Sequence, residues 1–115
     1  MALRFPLFVF EKDDRSMRLV ENEESLFYHL EEIDIQNGEY LFWDVSGVGV
    51  CLQINKRKIV AIENCANGKA LREGFAVYSQ SLGLAVELEG SPLEAWNRIL
   101  DRAKKRPKRT GSLVR

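Results

Sequence analysis

The residues EYLFWDVSGVGVCLQI, running from position 39 to 54, constrain this chain more than any other stretch. They are rich in aromatic and β-branched side chains, and a Ser-Gly pair divides them into two halves, which is the pattern of a β-hairpin. Placing Ser46 and Gly47 at the centre of a two-residue turn sets Val45 opposite Val48, Asp44 opposite Gly49, Trp43 opposite Val50 and Phe42 opposite Cys51, then Leu41 opposite Leu52 and Tyr40 opposite Gln53. One face then carries Leu41, Trp43, Val45, Val48, Val50 and Leu52, all apolar, and needs a cover. The other carries Tyr40, Phe42, Asp44, Gly49, Cys51 and Gln53, a mixed set suited to a shallow pocket or a partner surface. A slip of one residue would scramble this sorting, so the register expectation is sharp.

The remaining elements are read from periodicity and punctuation. Residues 3–11 alternate as a strand, with Pro6 removing one backbone donor and pointing to an edge or a bulge. KDDRS turns the chain, and residues 17–21 return it as a second strand. Asn22 is positioned as a helix N-cap, with Glu23 and Glu24 at the positive end of the helix dipole. Leu26, Phe27, Leu30 and Ile33 fall within one arc of that helix, with Glu24, Tyr28, Glu31 and Glu32 outside it. The helix is expected to end before Gln36-Asn37-Gly38, where Asn37 and Gly38 tolerate positive φ.

After the hairpin, the polar turn NKRK leads to a strand over 59–63, apolar on both faces as a central strand would be. Residues 69–82 read as a helix with Leu71, Phe75, Tyr78 and Leu82 on one side, although Gly74 sits inside it. Residues 84–89 alternate as a last strand. Ser91 and Pro92 open a final helix as N-cap and first helical residue. It buries Leu93, Trp96, Ile99, Leu100 and Ala103, pairs Glu94 with Arg98 and Asp101 with Lys105, and stops at Pro107.

The predicted order is ββα-βββ-α-β-α. This is an α+β fold, a mainly antiparallel sheet of five to six strands packed with two to three helices. A chain of 115 residues, 45% hydrophobic and 30% charged, is the size and composition of one domain with its own core. The expected domain spans 1–106, followed by a basic, disordered tail over 107–115. The apolar run near the amino terminus is too short to span a membrane and lacks a cleavage site, so a strand and a cytoplasmic location are the expectation, with no membrane partner. Cys51 and Cys65 are fourteen positions apart, with His29 the only histidine, and fit no zinc pattern. They are expected to be free thiols.

Catalytic motifs are hard to sustain. GVG at 47–49 lacks the third glycine and the following helix of a dinucleotide fingerprint. ANGKA at 66–70 has a lysine before a helix but none of the rest of a phosphate loop. A cysteine–histidine dyad would need His29 beside Cys51 or Cys65, and nothing in the spacing brings them together. The acidic pairs at 13–14, 23–24 and 31–32 are adjacent, not spaced as metal ligands. No catalytic residue, cofactor or metal is expected.

Charge is distributed unevenly. Residues 102–115 hold seven basic side chains and no acid, against ten basic and seventeen acidic in the rest. The principal expectation is therefore a non-catalytic interaction or regulatory module with a protein partner, self-associating through an edge strand or the mixed face. Its binding residues would be Tyr40, Phe42, Asp44, Cys51 and Gln53, with Glu24, Glu31 and Glu32 steering a basic partner. The alternatives are nucleic-acid binding through Arg102, Lys104, Lys105, Arg106, Lys108 and Arg109, which lack interleaved aromatics for stacking, and a small-ligand site on the mixed face.

Overall fold

The computed structural model describes residues 3–64 and 70–105. In chain order these form β1 (Leu7–Glu11), β2 (Ser16–Val20), α1 (Glu23–His29), α2 (Glu32–Gln36), β3 (Tyr40–Trp43), β4 (Gly49–Asn55), β5 (Lys58–Asn64), α3 (Leu71–Ser81) and α4 (Pro92–Lys105). The strands make one sheet in the order β2-β1-β3-β4-β5, every neighbouring pair antiparallel. β2 and β3 both run against β1 and flank it, so α1 and α2 form the crossover that carries the chain from one to the other. The α+β class and the antiparallel sheet are as the sequence implies.

At β1 the sheet is covered on both faces. Successive side chains of a strand point to opposite sides, and the LFVF run of β1 is apolar throughout because both sides meet a core. Leu7, Val9, Val20, Phe42, Val50 and Ile54 pack against Leu26, Phe27 and Leu30 of the α1 segment and Ile35 of α2. Phe8, Phe10, Met17 and Trp43 pack against Leu71 and Phe75 of α3 and Ala95, Trp96 and Ile99 of α4. Within the second core the Phe8 ring meets Phe75 edge-on at 5.3 Å, and Trp96 stacks with Phe75 at 6.2 Å and with Tyr78 at 6.0 Å. Gly74 lets α3 approach this sheet face closely: a Cβ there would come within 2.8 Å of Met17 Cε and 3.4 Å of the Trp43 ring.

Several expectations are corrected. The hairpin register differs by one residue: Phe42 lies opposite Val50 and Trp43 opposite Gly49. The cause is Asp44, whose N–H bonds Val48 O at 2.8 Å and so encloses a three-residue turn, 45–47, with Gly47 at φ 93°. Trp43 and Val50 consequently lie on opposite faces, and Tyr40 and Phe42 join Val50 and Leu52 beneath α1 and α2. Pro6 follows a cis peptide and precedes β1, which is an inner strand and not an edge. β5 is an edge strand and not a central one. A bulge where Ile54 pairs with Ile59 but Gln53 with Ala61 leaves Val60 as the extra residue, which brings both Ile59 and Ile62 to the first core.

Residues 84–89 form no strand. They alternate in burial, as the sequence suggests, but they lie against α3 and α4, and no strand among the described residues pairs with them. Their carbonyls are held by a side chain: Arg98 Nη1 donates to Glu87 O at 3.1 Å and also to Glu89 O. Arg98 is thereby diverted from the expected partner Glu94, whose carboxylate accepts from Ser91 N at 2.8 Å while Ser91 Oγ accepts from Glu94 N at 3.2 Å. That reciprocal cap starts α4. The Asp101–Lys105 pair forms at 3.1 Å. Leu100, expected inside, is exposed, and Ala95 is buried in its place. Pro107 and the tail over 107–115 lie outside the described residues.

Ser79, on the buried side of α3, has a hydroxyl with no partner among the described residues. An unbonded buried polar group costs free energy that a methyl group does not. Ser79→Ala is therefore expected to raise the unfolding free energy by about 1 kcal/mol, read as a higher urea midpoint at unchanged m; a lower midpoint would contradict the assignment.

Candidate interaction surface

The outward side of the α1–α2 crossover is built by two helix starts. Asn22 Oδ1 accepts from Ser25 N at 2.8 Å and starts α1, which buries Leu26 and Phe27. Glu24 and Tyr28, four residues apart, share the opposite side. The expected single helix is broken: Leu30 is extended at φ −120°, ψ 140°, and α2 restarts after Glu31. The break re-aims the next turn, so that Ile35 enters the core and Ile33, expected inside, stands in solvent. Tyr28 is 82% exposed and Ile33 57%, with Glu24 and Glu31 exposed beside them in sequence. The His29 ring meets Tyr28 edge-on at 5.0 Å, and its Nδ1 accepts from Arg18 Nη1 at 3.1 Å, since a guanidinium can only donate.

This crossover is clamped to the β4–β5 hairpin. Lys56 and Arg57 form the two-residue turn at φ 52° and 60°, a conformation that favours Asn-Gly and strains both residues. Three contacts hold Arg57 there. Its N–H donates to Glu32 Oε1 at 2.7 Å, its Nη2 donates to Phe27 O at 2.9 Å, and its guanidinium lies 5.7 Å from the Phe27 ring centroid. Glu23 Oε2 accepts from Ile59 N at 3.0 Å, closing one backbone donor on the edge strand. Of the three expected steering acids, Glu32 is thus committed to structure, bonding Gln36 Nε2 at 3.2 Å as well, whereas Glu24 and Glu31 face outward. Glu23, Glu24, Phe27, Arg57 and Lys58 line a cleft of about 460 Å³ beside this surface.

The five residues of the expected mixed face are not brought together. The Tyr40 and Phe42 rings lie 6.2 Å apart on the α1–α2 side of the sheet. Burial, reinforced by Glu11, Asp34 and Glu39, pushes the Tyr40 phenol above its usual range. Cys51 and Gln53 are exposed, and strand alternation turns them to the other face. Cys51 is disulfide-bonded, which corrects the free-thiol expectation at that position; Cys65 lies outside the described residues. Asp44 is 7% exposed, and its Oδ1 accepts from Ser46 N at 2.9 Å, Ser46 Oγ at 2.6 Å and Val48 N at 3.1 Å. Burial opposes its ionisation, but these bonds outweigh burial and hold the carboxyl below its usual range. Its role is architectural.

Among the tail residues, Arg102, Lys104 and Lys105 are exposed on α4, while Arg106, Lys108, Arg109 and the ANGK residues 66–69 lie outside the described residues. No described helix is long and apolar enough to cross a membrane, and no group of three or more potential metal ligands occurs among the described residues. Comparison with protein-family models, curated proteins and solved structures finds no match. Tyr28 could have been found from its place outside the apolar arc; Ile33 could not, because its exposure depends on the break at Leu30.

Two outcomes follow from this geometry. A carboxyl whose folded pKa is depressed stabilises the fold above its ordinary value, here 3.8, and loses that contribution as pH falls through the folded value. Asp44→Asn should be less stable by about 1–2 kcal/mol at neutral pH, and the gap should narrow as pH is lowered below 3.8, in urea titrations across that range; a pH-independent gap would contradict the ionised acceptor. At the strained turn, Lys56→Gly should raise stability by up to about 1 kcal/mol, net of the entropy glycine adds to the unfolded chain. No gain would mean the turn is unstrained.

Proposed function

We propose that this protein is a non-catalytic interaction module whose docking surface is the outward side of the α1–α2 crossover, and that its partner presents a cationic surface. The observation that carries the reading is the exposure of Tyr28 and Ile33 beside Glu24 and Glu31. Large apolar side chains on both helices of one crossover offer a desolvation gain to whatever covers them, and tyrosine supplies contact area at low entropic cost. The carboxylates add long-range attraction for a basic partner, which raises the association rate more than the final affinity. The clamp through Arg57, Glu32 and Glu23 supports the same reading, because a docking surface held rigid before binding loses less entropy on association.

The test uses a fluorescent oligolysine peptide and anisotropy at low salt. Glu24→Lys/Glu31→Lys should weaken binding by at least about tenfold, or about 1.4 kcal/mol. Asp13→Lys/Asp14→Lys, which changes net charge equally in the exposed β1–β2 turn, should weaken it much less. Tyr28→Ala should weaken it with little change in salt dependence. Equal losses in the two charge-reversed proteins would reduce the effect to net charge and refute the surface.

A further inference from the structure

The chain carries a candidate for that cationic partner. We infer that the Glu24–Tyr28–Glu31–Ile33 surface is the docking site for the basic segment 106–115 of a second copy, which makes the protein a reciprocal dimer; this rests on the reading of that surface as a docking face. Segment 106–115 contains Arg106, Lys108, Arg109 and Arg115 and no acid, together with Leu113 and Val114. It therefore matches the surface in both respects, charge against Glu24 and Glu31, aliphatic side chains against Tyr28 and Ile33.

Topology favours exchange between copies over folding back. α4, which leads into the segment, packs on the sheet face that holds Trp43, and α1 and α2 pack on the opposite face. At roughly 10 Å between a layer and the next, the two helix layers stand roughly 20 Å apart through the sheet. A chain returning from Lys105 must go round a sheet edge, which is longer still. Ten residues span at most roughly 35 Å when fully extended, so most of the segment would be used in transit within one molecule. Between two molecules none is lost to transit, and a two-fold arrangement forms the contact twice, the second time at the high effective concentration set by the first.

Analytical ultracentrifugation of the full chain tests this. At low salt the protein should be a dimer that dissociates as salt is raised. The protein lacking 106–115 and the Glu24→Lys/Glu31→Lys protein should each be monomeric. Mixed in equal amounts, they should form a heterodimer, because one retains the surface and the other the segment. A monomeric full chain at low salt, or a dimer that persists in both variants, would overturn the inference. A synthetic peptide of residues 106–115, titrated into the truncated protein, separates the two proposals. Saturable binding that Glu24→Lys/Glu31→Lys abolishes supports this inference. Binding of oligolysine without the segment peptide overturns this inference alone, and binding of neither overturns the docking surface as well.

Discussion

The carboxylate of Asp44 determines what the rest of the sheet can be. It accepts from two backbone N–H groups and one hydroxyl across the turn, and its own N–H closes that turn against Val48 O. Charge-assisted bonds inside a buried site are strong, and they favour the three-residue turn over a tighter one. The count matters because side chains alternate along a strand. With the turn one residue longer than Ser46-Gly47 alone would give, Val50, Leu52 and Ile54 lie toward α1 and α2 with Phe42, while Trp43 is left to anchor α3 and α4. One buried acid thus assigns the hairpin's apolar side chains to two separate cores.

Those two cores explain where surface remains available. α3 and α4 consolidate the face bearing Phe8, Phe10 and Trp43, using Gly74 for close approach and Arg98 to hold the 84–89 segment in place of a strand partner. α1 and α2 seal the other face and are tied to the β4–β5 hairpin at Arg57, Glu32 and Glu23. The strain accepted at Lys56 and Arg57 is offset by those ties. Once the inner sides of α1 and α2 are committed in this way, their outer side retains Tyr28, Ile33 and the exposed carboxylates of Glu24 and Glu31. An acidic and apolar surface tied to the β4–β5 hairpin, on a chain that also carries a concentrated basic segment, is the physical basis of the proposed docking.

Much of this was legible in the sequence because it depends on local chemistry. The Asn22 and Ser91 caps, the helical spacing around Phe75 despite Gly74, and the strand pairs at both ends of the sheet follow from short-range rules. What was not legible depends on contacts distant in sequence. Ser46-Gly47 is a good turn dipeptide, and only the fold makes Asp44 the better determinant. Residues 84–89 have strand periodicity, but helices and not a strand lie beside them. Ile33 has the spacing of a core residue in a continuous helix, and the break at Leu30 reverses it. For the site, the acids Glu24 and Glu31 were evident from composition, whereas Tyr40, Phe42, Asp44, Cys51 and Gln53 formed one face only in the register that the Asp44 turn excludes.

That register can be read directly in solution from cross-strand proton contacts. Because Asp44 and Val48 are hydrogen-bonded across the turn, the adjacent pair, Trp43 and Gly49, is the one whose Hα atoms come into close contact. A nuclear Overhauser effect between Trp43 Hα and Gly49 Hα is the predicted result. One between Asp44 Hα and Gly49 Hα in its place would mean a two-residue turn. It would return Tyr40, Phe42, Asp44, Cys51 and Gln53 to a common face and contradict the division of the hairpin between two cores.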